Sequence, residues 1–215
     1  ASKPIIYEIN TRVWLTDLSR RFKKKITLKN IPDVVLDEIA ALNADTIWLM
    51  GVWQRSEAAR LSALNYTHEY KPVLPDLQET DVIGSAYAIA DYTVDKAIGG
   101  KKALAALRER LRERGLKLIL DYVPNHVSTD HHWIDDHPEY MVPGTKAELK
   151  KFPDRFFAVD DSLIIAHGRD PYFPGWIDTA QINAFSLEYR EVALKTLLDI
   201  AEQCDGLRCD MAMLM

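Results

Sequence analysis

The chain has 215 residues, of which 47% are hydrophobic and 27% charged, and its formal net charge is −5. This composition is typical of a soluble globular protein. No dense run of lysine and arginine indicates nucleic-acid binding, and the basic cluster at residues 20–25 is predicted to be a solvated turn. No stretch approaches the ~18 consecutive apolar residues of a membrane span.

Cys204 and Cys209 are the two cysteines, so the sequence has neither a disulfide framework nor a CxxC motif. Two free thiols suit a reducing compartment. The first ten residues lack the basic and apolar regions of a signal peptide. The sequence therefore predicts a cytoplasmic protein.

Four apolar segments are predicted to be strands. Most of them are apolar at nearly every position, which is typical of strands buried on both faces of a parallel sheet. The segments are residues 5–15, 45–53, 116–123 and 206–214.

Three helices are predicted between these strands, because apolar residues recur there at helical spacing. In the first helix, Pro32 suits the first turn and Asp33 suits the positive end of the helix dipole. Gly115 is a predicted C-cap of the second helix. The predicted apolar faces are Ile31, Val34, Val35, Ile39 and Leu42 in the first helix, Leu104, Leu107 and Leu111 in the second, and Leu194, Leu197, Leu198 and Ala201 in the third.

The predicted order, β-α-β-α-β-α-β, implies right-handed crossovers and a parallel sheet. The segments after the second and third strands, residues 54–100 and 125–185, are longer than a single crossover requires. Both follow the carboxyl end of a strand, which carries the active site in parallel α/β folds. These two segments are therefore predicted to serve function.

The segment after the third strand is rich in aromatic and proline residues. Its aromatic side chains could stack on sugar rings, or they could form a small separate core that keeps the segment folded. The second interpretation is favoured for most of them, because so long a segment must bury part of its surface.

Arg208 and Asp210 are the first candidates for chemistry. Residues two apart in a strand point to the same face, so both are predicted to face inward if Cys209 faces the helices. An arginine close to a carboxylate lowers the carboxylate's pKa and would keep Asp210 ionised, as a carboxylate nucleophile requires. A buried ion pair without chemistry explains the spacing equally well.

Asp121 lies near the end of the third predicted strand, and Asn125 and His126 follow just past that end. His126 could donate a hydrogen bond to a substrate oxygen, and the Asn125 carbonyl could bind a substrate or a hard cation such as Ca²⁺. Alternatively, Asp121 only ties down neighbouring groups and Asn125 only fixes the turn. Tyr87 and Tyr92 are candidates for stacking and hydrogen bonding, with core packing as the alternative.

Several motifs together resemble the α-amylase family of glycoside hydrolases. DYVPNH at residues 121–126 and GLRCD at residues 206–210 resemble the family's first two signature regions. AYAIADY at residues 86–92 resembles the family's loop with a tyrosine that lines the sugar site, and residues 178–191 resemble a short stretch ahead of its third helix. The resemblance covers essentially the whole chain.

The resemblance implies an α/β fold in which the chain forms the first four βα units of a (β/α)8 TIM barrel, with a long subdomain inserted after the third strand. Residues 1–126 would form the first half of the barrel domain, residues 127–184 the inserted subdomain, and residues 185–215 the third helix and fourth strand.

The resemblance also implies retaining hydrolysis of α-glucosidic bonds in oligo- or polysaccharides. Asp210 would be the nucleophile and Arg208 its charge partner, while His126 would hydrogen-bond the sugar and Tyr87 would stack on it. Two alternatives stay open: a transglycosidase or isomerase that uses the same nucleophile, and a non-catalytic sugar-binding half-barrel.

The sequence departs from the family pattern at three positions. Many members have lysine and histidine in place of Met213 and Leu214, and often a calcium-binding aspartate in place of Gln181. Asn125 alone cannot supply the six to eight oxygens of a calcium site, so no metal or other cofactor is expected.

The family's general acid is a glutamate at the end of a fifth strand, and the sequence offers no counterpart for it. The 215 residues are therefore expected to belong to a longer enzyme and to lack turnover alone. The expected partners are an oligosaccharide or α-glucan substrate and the remaining half of the same protein, and neither a nucleic acid nor a membrane.

Overall fold

A computed structural model describes residues 3–214 of the chain. Its strands are β1 (Ile6–Asn10), β2 (Thr46–Met50), β3 (Trp53–Arg55), β4 (Ile89–Val94), β5 (Lys117–Tyr122), β6 (His126–Ser128), β7 (Phe156–Ala158), β8 (Ile164–Ala166), β9 (Thr179–Gln181) and β10 (Gly206–Cys209). Its α-helices are α1 (Thr11–Phe22), α2 (Asp33–Ala40), α3 (Glu57–Leu64), α4 (Thr67–Tyr70), α5 (Gly100–Arg112), α6 (Trp133–Asp136), α7 (Lys146–Lys151) and α8 (Leu187–Ala201).

The described residues form two compact units, each assembled from separate segments of the chain. The first unit contains residues 3–54, 92–122 and 195–209, and the second contains residues 55–91, 123–194 and 210–214. The three-part division inferred from the family resemblance stays a prediction.

The first unit contains a four-stranded parallel sheet in the order β1-β2-β5-β10. Its strands are the four predicted from the sequence, and every pairing is parallel, as predicted. Leu118 and Leu120 of β5 are fully buried, whereas Ile6 and Tyr7 of the edge strand β1 are 53% and 42% exposed. The difference arises because an edge strand has a neighbour on one side only.

Helix α5 packs against β5, and Leu104, Leu107 and Leu111 of its predicted apolar face are all buried. These residues are spaced three and four apart, so they fall on one face of the helix. Gly115 adopts a left-handed φ of 75°, and its amide donates to the carbonyl of Arg112 at the end of the helix. This conformation costs glycine little and explains the residue type at the turn into β5.

The first predicted strand, residues 5–15, was wrong beyond Asn10. A helix, α1, begins at Thr11, because the Asn10 side chain accepts a hydrogen bond from the Val13 amide and caps it. Thr11, Leu15 and Leu18 are buried at helical spacing. The basic cluster at residues 20–25 therefore includes the last turn of α1, and only its second half is the predicted turn.

The last predicted strand, residues 206–214, was also too long. β10 ends at Cys209, and Met211 then adopts a left-handed φ of 52°. Residues 212–214 form a short 3-10 helix. Because Asp210 lies in this turn, the two-residue period of a strand does not determine the direction of its side chain.

The apolar faces predicted for the other two helices were partly wrong. Leu36, absent from the predicted face of α2, is fully buried, whereas Val34 and Leu42 are 51% and 53% exposed. In α8, Leu194 and Leu198 are 59% and 60% exposed. A helical period identifies a stripe of apolar residues, but it does not determine how far a neighbouring element covers that stripe.

The second unit contains two antiparallel pairs of strands, β6 with β9 and β7 with β8. Its core includes Trp133, Tyr140 and Tyr189, with Phe157 packed at its margin. For Trp133, Tyr140 and Phe157, which belong to the segment after the third strand, the prediction of a separate core is confirmed. Tyr172 and Phe173 behave differently, since they are 88% and 67% exposed.

A buried carboxylate connects three strands of the first unit. Asp121 of β5 is 1% exposed, and its Oδ1 accepts a hydrogen bond from Trp48 Nε1 at 3.1 Å. Its Oδ2 accepts from the Gly51 amide at 3.2 Å, and Arg208 Nη1 of β10 lies 3.7 Å from Oδ1. The prediction that Asp121 ties down neighbouring groups is confirmed by these contacts.

Replacing Asp121 by alanine is expected to destabilise the protein by about 3–5 kcal/mol, because it removes a buried carboxylate next to Arg208 and leaves two N–H groups without their acceptor. Asp121→Asn should cost less, since the amide keeps one acceptor oxygen. The measurement is the free energy of unfolding in urea.

Asp17→Ala removes an exposed carboxylate of α1 and is the matched control. It is expected to leave the unfolding free energy almost unchanged. A loss of less than about 1 kcal/mol in Asp121→Ala would contradict the role given to this carboxylate.

Candidate active site

Arg208 lies in the first unit, directly across the β5–β10 pairing from Asp121. Its guanidinium carbon lies 4.9 Å from the ring centroid of Trp48. Trp48 is paired with Ile119, two residues before Asp121, so the tryptophan and the carboxylate share a face of the sheet. The strand register thus gives Arg208 an acidic partner that the sequence analysis had not connected with it.

In the second unit, a chain of hydrogen bonds leads from Gln181 to His126. Gln181 Nε2 donates to Asn125 Oδ1 at 3.0 Å. The Asn125 oxygen therefore faces Gln181, and the NH₂ group of the Asn125 side chain faces the other way. Asn125 Nδ2 lies 3.2 Å from His126 Nδ1. Because an NH₂ group can only donate, Nδ1 accepts and the proton of the neutral ring is on Nε2.

His126 is 3% exposed, and burial lowers its pKa from 6.5 to about 4. The negative charge of Asp210 and a hydrogen bond with the backbone of Tyr87 both act to raise this pKa, but burial dominates. The ring is therefore neutral at pH 7. The structure thus brings together three of the predicted site residues, His126, Asp210 and Tyr87, within the second unit.

Asp210 is 5% exposed, although it belongs to a turn and not to a strand. The prediction that Arg208 and Asp210 face inward depended on Cys209 facing the helices, and Cys209 is exposed. Met211 has a left-handed backbone, so the chain turns sharply just after the carboxylate. Tyr87 is half-buried, and its amide donates to Ser85 Oγ at 3.1 Å. Stacking of the Tyr87 ring on a sugar stays a prediction.

Trp176 is a site residue that sequence reasoning did not single out. Its ring centroid lies 5.1 Å from that of His126, and it also lines a cavity of about 680 Å³ together with Tyr66 and Tyr70. Aromatic walls and a few polar groups are typical of ligand pockets. The sequence signal was the aromatic, proline-rich stretch around residue 176, which did not show which ring would reach His126.

Gly168 is the second such residue. A Cβ atom at this position would lie 2.7 Å from Thr179 Oγ1 and 2.9 Å from His126 Cβ. Both distances are shorter than real side chains allow, so only glycine lets the chain pass so close to the histidine. The Gly168 carbonyl accepts a hydrogen bond from the Trp176 amide at 2.7 Å, which holds the tryptophan segment beside it.

The residue types around Asn125 do not fit a calcium ion. Gln181 Nε2 lies 2.9 Å from the Asn125 backbone oxygen, 3.0 Å from its Oδ1 and 3.3 Å from the Ile182 oxygen. Three oxygens thus converge on one NH₂ group, where a cation would need further oxygen ligands. Between residues 3 and 214, no three histidine, cysteine, aspartate or glutamate side chains are clustered in a way that could hold a metal ion.

The free energy of unfolding is expected to decrease as the pH is lowered, because of His126. Its folded pKa of about 4 lies below the unfolded value of 6.5, so the unfolded state binds more protons between these values and the unfolding free energy decreases as pH falls. The loss from this residue between pH 7 and pH 5 is about 2 kcal/mol.

Urea unfolding at pH 7, 6 and 5 measures this dependence. His131, whose pKa is also lowered to about 4 by burial, should add to it. His126→Gln should flatten the pH dependence, whereas replacing the exposed His68 by glutamine should not. An identical dependence in His126→Gln would show that the histidine is not buried as a neutral ring.

Comparisons with known proteins place these features in a family. Residues 28–192 match the model of the alpha-amylase catalytic domain. The chain is 33% identical to an amino acid transporter heavy chain, SLC3A1, of Rattus norvegicus over 99 residues, which are 46% of this chain and 11% of the relative. It is 24% identical to alpha-amylase MalA of Haloarcula japonica over 213 residues, which are 99% of this chain and 26% of the relative.

Among solved structures, an alpha-amylase from Lactobacillus plantarum matches with a TM-score of 0.65 and 22% identity, over 99% of this chain and 39% of that one. This likeness shows a partial TIM-barrel fold. The chain spans well under half the length of each of these relatives.

None of the helices described between residues 3 and 214 is long and apolar enough to cross a membrane. The family match spans more than half of the 215 residues. The chain therefore belongs to the alpha-amylase family.

Proposed function

We propose that this chain supplies the nucleophile side of a retaining glycoside hydrolase that cleaves α-glucosidic bonds of oligo- or polysaccharides. One observation carries the proposal: in a chain of the alpha-amylase family, a buried Asp210 lies close enough to the neutral His126 to influence its pKa. The name of the relative MalA, an alpha-amylase aligned over nearly the whole chain, supports the same substrate class.

In this mechanism the Asp210 carboxylate attacks the anomeric carbon, and the bond from that carbon to the leaving-group oxygen breaks. A general acid protonates that oxygen, and water later hydrolyses the glycosyl ester, so that two displacements retain the configuration. His126 would hydrogen-bond a sugar oxygen. Tyr87 would stack on the same sugar, and the role of Arg208 as charge partner of Asp210 stays a prediction.

The four parallel strands are proposed to be the first four of an eight-stranded barrel, with the segment after β5 as an inserted subdomain. The exposed edge strand β1 is compatible with this, since a closed barrel has no edge. The general acid is proposed to lie outside these 215 residues, which is in keeping with a chain that spans 39% of the solved Lactobacillus plantarum amylase. The enzyme is proposed to act in the cytoplasm.

The decisive experiment replaces Asp210 by asparagine in the protein at its natural length, with hydrolysis of an aryl α-glucoside as the assay. Loss of the nucleophile is expected to lower kcat by at least about 10⁴-fold. Binding of a maltooligosaccharide, measured by calorimetry, should persist, because the amide keeps the size of the carboxylate.

Asp161→Asn is the matched control. This carboxylate is exposed and belongs to the same unit, and it should leave kcat unchanged. If the Asp210→Asn protein retained normal turnover, Asp210 would not be the nucleophile. If the wild-type protein bound the sugar but did not turn it over, the binding-module alternative would replace the enzyme.

That alternative has one specific observation in its favour. The relative with 33% identity is named as a transporter heavy chain, so a chain similar to this one is named for another role. A non-catalytic half-barrel would need His126 and the aromatic cavity for binding, but it would not need a buried carboxylate beside them. Transfer to a sugar acceptor by the same nucleophile also stays open, and product analysis in the assay distinguishes it from hydrolysis.

We also propose that the protein uses no calcium at Asn125, because the Gln181 amide satisfies the oxygens there. Melting temperature should then be the same with excess EDTA and with millimolar CaCl₂. Gln181→Asp should make the melting temperature depend on calcium. A carboxylate cannot donate hydrogen bonds to the three oxygens, whereas a cation could be bound by the carboxylate and these oxygens together. The expected result is a melting temperature that rises with CaCl₂ in the variant only.

Gln54→Asp is the control for this experiment, since it introduces the same charge at an exposed position of the first unit. It should show no response to calcium. A wild-type protein whose melting temperature falls in EDTA would overturn the proposal.

A further inference from the structure

A cavity of about 630 Å³ lies within the second unit. Its wall includes Gln181, which orients Asn125, and Met213 and Leu214, which follow Asp210 by three and four residues. Ligand pockets measure roughly 300–1,000 Å³. The cavity is therefore large enough for a sugar unit and belongs to the same part of the unit as the candidate nucleophile.

Two arginines, Arg155 and Arg169, line this cavity. Across residues 3–214, neither of them takes part in an ion pair with a carboxylate. Glu148 lines the cavity too, but its Oε2 accepts hydrogen bonds from the Thr145 amide at 2.9 Å and from Thr145 Oγ1 at 2.7 Å. That carboxylate is committed to capping helix α7, and the arginines are left with unused donors.

The Arg155 side chain is held by an aromatic ring. Its guanidinium carbon lies 4.9 Å from the centroid of Phe152. A guanidinium that lies over a ring keeps its in-plane N–H groups for other partners, and these groups match the paired oxygens of a phosphate or a carboxylate. Arg169 is exposed and can approach the same anion from the cavity's edge.

His167, also in the cavity wall, adds an acceptor and no charge. Its Nδ1 lies 2.8 Å from the Thr179 carbonyl oxygen, and since a carbonyl only accepts, Nδ1 carries the proton. Burial lowers the pKa of His167 below its usual value. The neutral ring therefore has Nε2 as an acceptor, which suits a sugar hydroxyl.

From this arrangement we propose that the cavity binds an anionic sugar unit, one that carries a phosphate or a carboxylate group, with Arg155 and Arg169 as the groups that recognise the anion. The identification of the ligand as a sugar rests on the proposed function, whereas the recognition of an anion rests on the two arginines alone. The apolar side chains Met213 and Leu214 supply the part of the wall that would face the carbon skeleton.

Calorimetric titration of the protein at its natural length tests this proposal with glucose 6-phosphate, glucuronate and glucose. At least one of the two anionic sugars should bind at least tenfold more tightly than glucose, and their comparison identifies the preferred anion. Arg155→Gln and Arg169→Gln should each weaken its binding about tenfold, the effect of one charge-assisted hydrogen bond.

Arg20→Gln, an exposed position in α1 of the first unit, removes the same charge and should leave binding unchanged. Thermal melts confirm that the variants are folded, and Arg169→Gln is the variant least able to disturb packing because its side chain is exposed. Equal binding of glucose and the anionic sugars, or unchanged affinity in folded Arg169→Gln, would overturn the proposal. These results are independent of turnover, so failure of the Asp210 experiment would not be mistaken for failure of this one.

Discussion

The buried carboxylate of Asp121 is the interaction on which the first unit depends. A charge that is 1% exposed is tolerated only if it is paired and hydrogen-bonded, and Asp121 finds its partners on both neighbouring strands of the sheet. Trp48 and the Gly51 amide hold the end of β2, and Arg208 holds β10. A shift of either strand by one residue would remove a partner, so the carboxylate fixes the register of three strands at their carboxyl ends. Those ends are where the chain leaves the sheet for its long segments.

In the second unit the buried polar side chains are neutral, and they too need hydrogen-bond partners. Asn125 and His126 follow β5 directly and are both buried, so each of their polar atoms needs a partner. Gln181, 56 residues from Asn125, provides the first donor, and the order of donors and acceptors then determines the tautomer of His126. Gly168 allows the close approach that this packing requires. The histidine is consequently held in one orientation and one protonation state, which is the preorganisation that a sugar-binding group needs.

The sequence predicted the four parallel strands and the buried face of α5, because each has a local signal. Continuous apolar runs indicate buried strands, and the motifs at residues 121–126 and 206–210 indicate the strand ends. It could not predict the contact of Arg208 with Asp121, since that depends on strand register. Nor could it predict that Trp176 and not another aromatic residue would reach His126. The exposed Leu194 and Leu198 show the same limit, because periodicity says nothing about what covers a face.

The charges of the second unit would determine the orientation of an anionic substrate in the candidate site. The NH₂ group of Gln181 joins three oxygens without adding charge, whereas a divalent cation there would place two positive charges near His126 and Asp210. If no calcium binds there, as proposed, no cation at that position offsets the negative charge of Asp210. Arg155 and Arg169 lie instead in the wall of the 630 Å³ cavity, which Met213 and Leu214 also line. A substrate with an anionic group at one end would be repelled by Asp210 at that end and attracted by Arg155 and Arg169. Electrostatics alone would then orient it with its neutral sugar toward the nucleophile, before any hydrogen bond to His126 had formed.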